Sequence, residues 1–404
     1  VSETERLYYT DAYCVAFEAN VVAREDDGRR VVLDRTAFYP TSGGQPHDLG
    51  TLDAAKVIDV IDEGTRIVHV VDAPLPLGPV SGTIDWVRRF DHMQQHTGQH
   101  LLSAVFADQL GYSTVSVHFA PDLSTLDLST PTLSRDDLRR VERRANELVA
   151  ANLDVVVSFE EAATATGLRK ETDRSGPLRV VTIQGIDRSA CGGTHVRATG
   201  EIGGILLRGQ EKMKQNARIE FLCGHRAVRR ARADFELLSG VARALNASLG
   251  DVPALVAAQG EQLKAAVAAR RGLEEELAGR RARERHAATT PDANGLRWII
   301  ERHPTGGTEL HRAFAIAFAA LPKAVFAAVC DGPRAIVLSA SPDSGVDAGA
   351  WLKARLIAVG GRGGGSPRLA QGSVPTGADL DAVAAAVEAL RGPSGPPNRE
   401  RLSP

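Results

Sequence analysis

From residue 20 to residue 90 the apolar positions fall in short β-branched runs separated by polar turns. VVAREDDGRRVVLD (residues 21–34) sets Asp27-Gly28 between two strand-like segments, and KVIDVIDEGTRIVHVVD (56–72) repeats the arrangement around Glu63-Gly64. Runs of this kind with turn residues between them predict hairpins, and hairpins in series predict a small antiparallel barrel. From Asp91 the period lengthens. DHMQQHTGQHLLSAVFADQLG is an amphipathic helix with a stop at Gly111. LSRDDLRRVERRANELVAANL is a second, with Ser134 as N-cap and Arg139, Arg140, Arg143 and Arg144 on or near one exposed face.

After Cys223 the chain is charged and alanine-rich. Residues 226–247 and 252–286 read as two long helices broken at SLGDVP, where Gly250 ends the first and Asp251 caps the second. Leu263, Leu273 and Leu277 supply only a broken heptad seam. The most apolar stretch, AFAIAFAALPKAVFAAVC (313–330), is interrupted by Pro322 and Lys323 and reads as strands on either side of a turn, not as a membrane-spanning helix. AVFAAVC and AIVLSAS are strands joined by a DGPR turn, DAGAWLKARLIAV is a helix, and GGRGGGSPRLAQGSV precedes a final alanine-rich helix. The tail, 393–404, is Pro- and Gly-rich and reads as disordered.

Composition narrows the function classes. A chain of 404 residues, 43% hydrophobic and 24% charged, suits two to four domains with proper cores. With a net charge of −2, any polyanion must be met through local basic patches. One such patch is residues 226–290, with 12 Lys and Arg against 8 Asp and Glu. The four cysteines (Cys14, Cys191, Cys223, Cys330) are too scattered for a disulfide framework, and the N-terminus shows no signal-peptide pattern, so a cytoplasmic location is the default.

The chemistry concentrates in two pairs. His96 and His100 lie four residues apart, on one face of their helix and able to share a cation, and Cys191 and His195 repeat the spacing. Either pair alone is a weak signal. Imidazoles and a thiolate are donors that borderline-soft zinc prefers, and Gly192 and Gly193 let the backbone fold tightly enough for Cys191 and His195 to converge. The competing reading is a polar helix face and an inert buried thiol.

At these residues the sequence resembles a known family. HTGQH (96–100) followed by CGGTH (191–195) is similar to the editing domain of alanyl-tRNA synthetase and its freestanding relatives, the AlaX proteins. FYPTSGGQPHDLG (38–50) and ARIEFLCG (217–224) extend the resemblance, and GGRGGGSPRLAQG (360–372) resembles the glycine-rich motif of the DHHA1 domain. The resemblance covers nearly the whole chain and is closest to the long AlaX forms. It implies an α+β fold: a glycine-rich β-barrel subdomain (1–90), a zinc-binding editing domain (91–225), a helical arm (226–290) and a C-terminal α/β DHHA1-like domain (291–392). The chain opens almost directly on the editing-like region, leaving no room for an aminoacylation domain with its ATP-binding motifs, so the expectation is that it does not charge tRNA.

The implied activity is hydrolysis in trans of the aminoacyl ester of tRNA(Ala) mischarged with serine, or with glycine, at a Zn2+ held by His96, His100, Cys191 and His195. Thr41 is the first candidate to read the amino acid, with Thr36 and Gln45 behind it and Gln95 and Gln99 on the metal helix as further candidates. Gly363 and Gly364, with Arg362 and Arg368, are candidates for gripping tRNA, because glycine-dense backbone offers N–H groups to phosphate. The arm is a candidate homodimer contact, and no membrane partner is expected. Two rival readings are a non-catalytic RNA-binding protein with a structural zinc, favoured by the four-ligand count, and a DHH-type phosphodiesterase. The second needs an Asp-His-His cluster, and here Asp91-His92 is followed by Met93.

Overall fold

The computed structural model describes residues 3–172 and 175–391, so the tail predicted to be disordered lies outside the described residues. The chain divides into two compact units, Val1–Ala244 and Leu245–Pro404.

The first unit opens with the barrel. Strands β1 (Ala16–Glu25), β2 (Arg30–Leu33), β3 (Gly50–Leu52), β4 (Ala55–Asp62), β5 (Ile67–Val71) and β6 (Gly78–Ile84) close in the order β1-β2-β5-β4-β3-β6, every pair antiparallel. Alternation sets the inside: Phe17, Ala19 and Val21 of β1 are buried while Ala16, Glu18 and Asn20 are exposed. Val31, Leu33, Phe38, Leu52, Ile67 and Val80 join them in one core. The two turns form where the sequence places them, with Asp27 and Gly28 at positive φ in the first and Gly64 in the second.

Helix α1 (Trp86–Leu110) follows the barrel and forms the centre of the unit. It begins five residues before Asp91, because the Asp85 carboxylate accepts a hydrogen bond from the Arg88 N–H and caps it there. Gly111, at φ 72°, ends it as predicted. Its second half, Leu101, Leu102, Val105 and Phe106, packs into a core shared with β7 (Thr114–Phe119), β8 (Ser124–Leu128), α2 (Arg135–Ala150), β9 (Val155–Glu161) and β10 (Pro177–Ile183), which pairs with β11 (Asp187–Ala190), and with β12 (Ile205–Met213) and β13 (Asn216–Cys223). Two antiparallel sheets are present, ordered β12-β13-β8-β7 and β9-β10-β11. Ser134 caps α2 by accepting from the Asp137 N–H. Helix α3 (Gly224–Ala244) completes the unit.

The second unit contains α4 (Val252–Ala288) and a five-stranded sheet. Its strands are β14 (Arg297–His303), β15 (Ala324–Cys330), β16 (Ala335–Ala340), β17 (Arg362–Ser366) and β18 (Leu369–Ser373), in the order β14-β15-β16-β18-β17. Only β14 and β15 run parallel, joined through α5 (Thr308–Ala319). Helices α6 (Ala348–Ala358) and α7 (Leu380–Leu390) pack into the core on one face of the sheet.

Two sequence expectations are corrected. The first long helix ends at Ala244, with Asn246 at φ 51° making the left-handed turn assigned to Gly250, and the Asp251 side chain makes no capping bond. The first half of AFAIAFAALPKAVFAAVC is not a strand but the end of α5: Phe314 and Phe318 stack one turn apart, and Ala315 and Phe318 are buried while Leu310 and Ile316 are exposed. In so uniformly apolar a run, a period of two and a period of 3.6 cannot be told apart. GGRGGGSPRLAQG, the glycine-dense candidate for contact with phosphate, is regular in structure. It folds as the β17–β18 hairpin on the sheet edge, where Cβ atoms at Gly363 or Gly372 would run into Leu356 of α6.

No helix among the described residues is long and apolar enough to cross a membrane.

Candidate metal centre

The first half of α1 is polar and nevertheless buried: His92, Gln94, Gln95, His96, Thr97, Gln99 and His100 all lie inside. Such a helix is stable only if its polar groups find partners. His96 and His100 project from consecutive turns, and the loop after β11 brings Cys191 and His195 to meet them. One donor atom from each of the four lies within 4.8 Å of all the others. The Cys191 Sγ sits 3.4 Å from His96 Nε2 and 3.3 Å from His195 Nε2.

What orients the rings is the other nitrogen of each. Gln45 Oε1 is 2.8 Å from His96 Nδ1 and also accepts the Thr194 N–H, so it acts as an acceptor and leaves His96 Nε2 with a free lone pair. Asp187 Oδ2 accepts from His100 Nδ1 at 3.0 Å. Thr97 Oγ1 lies 3.1 Å from His195 Nδ1 and accepts from the Val196 N–H. Three imidazoles with Nδ1 engaged and a thiol at their centre form the arrangement that fixes tautomer and direction in metal sites. The donor chemistry fits zinc: two to four histidine and cysteine donors with outer partners are its usual surroundings.

Each outer partner is itself held. Gln45 reaches the site because its loop is pinned to α1 by a fully buried ion pair between Asp48 and Arg89, with Arg89 also donating to the Ala12 and Ala37 carbonyls. Its amide nitrogen donates to Thr194 Oγ1 at 2.8 Å. Asp187 receives Arg169 Nε at 2.6 Å and the Ser189 hydroxyl at 2.9 Å. Arg179 clamps the cysteine loop by donating to the Cys191 and Gly193 carbonyls at 2.7 and 2.9 Å.

The two loop glycines differ. A Cβ on Gly193 would lie 2.1 Å from His96 Cε1, so only glycine lets the loop approach the ring. Gly192 has no atom closer than 3.7 Å to the same position.

The electrostatics of the cluster act most strongly on its thiol. Burial by itself pushes the Cys191 thiol up, but the electrostatic influence of the His96 and His195 imidazoles and hydrogen bonds from His100 and His195 outweigh it and hold the thiol well below its ordinary value. Burial lowers His195 to about 3, helped by the nearby His96 ring. His100 goes the other way: despite burial, Asp187 and Cys191 raise it to about 9.

The remaining sequence candidates are placed as follows. Thr41 is exposed on the loop that carries Gln45, and its Oγ1 accepts from the His47 N–H and contacts the His47 ring. Thr36 lies inside the barrel, 2.8 Å from His69 Nε2. Both ends of the Gln95 amide are taken by the Cys223 backbone, at 2.9 and 3.0 Å. Gln99 lines a cleft of about 310 Å³ together with His100, Arg169, Lys170, Glu171, Thr172, Ser189 and Ala190, which places this cleft against the cluster. A hollow of about 270 Å³ on the barrel, lined by Glu18, Asn20, Asp34 and Arg35 among others, shares no residue with it. Arg362 and Arg368 lie in and beside the edge hairpin, with Gly363 and Gly364 in the ladder of β17 with β18. Arg169, Arg179, Asp187 and Thr97 escape a reading of the sequence, because each acts through a contact made only in the folded chain.

A domain described as the threonyl and alanyl tRNA synthetase second additional domain matches residues 178–220, the segment that contains Asp187 and the cysteine loop. The chain is 38% identical over 229 residues to alanyl-tRNA editing protein Aarsd1 of Bos taurus, covering 55% of this chain and 51% of that protein. It is 33% identical over 250 residues to the Aarsd1 of Danio rerio, covering 56% and 60%. Against alanine–tRNA ligase of Pyrobaculum neutrophilum it is 34% identical over 394 residues, 91% of this chain and 42% of the ligase. The chain thus spans about half the length of the curated relatives it matches.

Proposed function

We propose that this chain, a relative of the alanyl-tRNA editing proteins and of alanine–tRNA ligases, is an editing hydrolase that cleaves the aminoacyl ester of tRNA(Ala) mischarged with serine, or with glycine. The observation that carries the reading is the convergence of His96 Nε2, His195 Nε2, His100 and Cys191 Sγ with every Nδ1 engaged by Gln45, Thr97 or Asp187. A zinc ion held by these four residues would supply Lewis-acid polarisation of the ester carbonyl. The chain's own contribution is orientation. Gln45 and Asp187 fix two rings, Arg179 and Gly193 fix the loop, and the cleft containing Gln99, Arg169 and Lys170 admits the substrate end with two cations near its phosphates.

Amino-acid selection requires a group that reads the serine hydroxyl, since a polar partner left unpaired by alanine costs about 1–3 kcal/mol. Thr41 has that role in this reading: it is the exposed hydroxyl on the loop that brings Gln45 to the metal. Gln45 is a positioning residue, and Thr36 supports the barrel through His69. We assign the barrel to residues 1–90, the editing domain to 91–225, the arm to 226–290 and a DHHA1-like domain to 291–392. Arg362, Arg368, Gly363 and Gly364 contact tRNA, the arm contacts a second copy, and the protein works in the cytoplasm.

The test is deacylation of Ser-tRNA(Ala), Gly-tRNA(Ala) and Ala-tRNA(Ala) by the zinc-loaded protein. Clearance of the first with sparing of the third supports the reading. Four protein donors are also the count of a closed structural site, which favours a second reading as a zinc-stabilised RNA-binding protein. Tight tRNA binding without hydrolysis of any of the three esters selects that alternative.

A further inference from the structure

A second group of metal-type donors, distant in sequence from the first, lies in the second unit. Glu301 and His303 stand two residues apart on β14 and therefore face the same side of the sheet, the side on which Ile299 packs with Phe318 of α5. His311 sits in the first turns of α5, whose start follows the end of β14. One donor atom of each lies within 4.8 Å of the other two. The His303 Nε2 is 3.2 Å from Glu301 Oε2, and the His303 and His311 rings stack with centroids 4.0 Å apart.

This is an unusual way to place two imidazoles unless something joins them. None of the three is buried in the core, so packing does not require them there. A Glu–His ion pair accounts for two of the groups and leaves His311 unexplained; its ring makes no hydrogen bond among the described residues. The place also has chemical logic. β14, α5 and β15 form a parallel crossover, and the carboxyl end of a strand where the following helix begins is where α/β sheets hold ligands.

We propose that Glu301, His303 and His311 form a second transition-metal site, taking a zinc-type divalent cation through two imidazole nitrogens and one carboxylate oxygen. Two histidines and a glutamate make a donor set that zinc accepts, and three protein donors leave a position for water or an external ligand. Glu301 binds through Oε2 alone, because its other oxygen accepts from Arg285 of α4. That arginine offsets the carboxylate charge, so this site releases its ion to a chelator before the thiolate site does. The ion ties edge strand β14 to the start of α5.

The experiment uses the full chain, stripped of metal, incubated with excess zinc chloride, desalted and measured for zinc per chain by mass spectrometry. Its readout is the difference between wild type and each of two separate variants, His311→Ala and His303→Asn, with circular dichroism on the same samples. Each variant is expected to carry one zinc fewer than wild type, whatever the first site holds. Equal zinc in wild type and both variants overturns the proposal. A parallel cobalt titration separates the sites by spectrum, because only the Cys191 site gives a thiolate charge-transfer band. Loss in His311→Ala of absorption lacking that band supports the proposal, and loss of the thiolate band alone contradicts it.

Discussion

Helices α1 and α4 break the usual rule of inside and outside in opposite directions. Between His92 and His100, α1 buries a run of histidines, glutamines and a threonine. Along α4, Leu255, Val256, Leu263, Val267, Leu273 and Leu277 are exposed. The buried polar groups of α1 are satisfied by specific partners from distant segments, among them Gln45, Asp187, Glu201 and the Cys223 backbone. Such a network is tolerated because it is nearly complete, and it holds the rings in one arrangement. The exposed side chains between Leu255 and Leu277 make no comparable commitment, and the ion pairs of that stretch are surface i,i+3 and i,i+4 pairs such as Lys264–Glu261 and Arg271–Glu275, worth little each. Precision in this molecule is concentrated where polarity is buried.

The comparison breaks most directly at the centre of α1's network. Cys191→Ala is expected to lose zinc and to reduce deacylation on the order of 10³-fold or more, because the ligand shared by two rings is gone. Metal content and single-turnover rates on the same sample check it. Gly193→Ala drives a methyl group into the His96 ring and should lower the rate on the order of 10²-fold, the usual result of misplacing a reacting group by about an ångström. Gly192→Ala, with space for the same methyl, should keep wild-type activity. Equal losses in the two would show that the loop needs glycine for flexibility and not for close approach.

A smaller effect is expected one contact further out. Asp187→Asn leaves an acceptor for His100 but removes the carboxylate that orients its ring and strengthens it as a donor, so zinc affinity should fall by roughly 10- to 100-fold. Competition with a chromophoric chelator measures it. In the barrel, burial holds His69 at about 4 against a free value of 6.5. Because the folded ring is neutral, its contribution is complete above pH 6.5 and is lost as pH falls towards 4, amounting to about 2 kcal/mol by pH 5. Urea unfolding at pH 7.5 and pH 5 should show this loss in wild type and a shallower one in His69→Gln. At the small end, Leu263→Glu and Leu273→Glu on α4 should each change the stability of the dilute chain by less than about 0.5 kcal/mol. Thermal melts at low concentration test that, and a large loss would mean that α4 packs its leucines.

The same contrast explains what could be read from the sequence. The convergence of His96, His100, Cys191 and His195 was legible because two short motifs, HTGQH and CGGTH, carry all four residues at fixed spacing. The barrel was legible in the alternation around Gly28 and Gly64, and Gly111 and Ser134 marked helix boundaries correctly. Arg179, Asp187 and Arg169 were not, since an arginine in a strand or a loop looks the same whether it clamps a carbonyl or meets solvent. Gln45 was visible as a candidate reader of substrate, yet its amide is spent on His96 and Thr194, a role that depends on the Asp48–Arg89 pair holding its loop. Residues 313–319 were misread because alanine and phenylalanine in alternation satisfy both periods.

The central claim is that the buried cluster on α1 is a hydrolytic zinc site. Its most direct measurement is the rate of Ser-tRNA(Ala) deacylation as zinc is removed by chelation and then restored stoichiometrically, with Ala-tRNA(Ala) followed in parallel. The account predicts that Ser-tRNA(Ala) hydrolysis disappears with the metal and returns in proportion to one zinc bound at the cluster, while Ala-tRNA(Ala) stays intact throughout. A rate independent of bound zinc in protein that remains folded would contradict it.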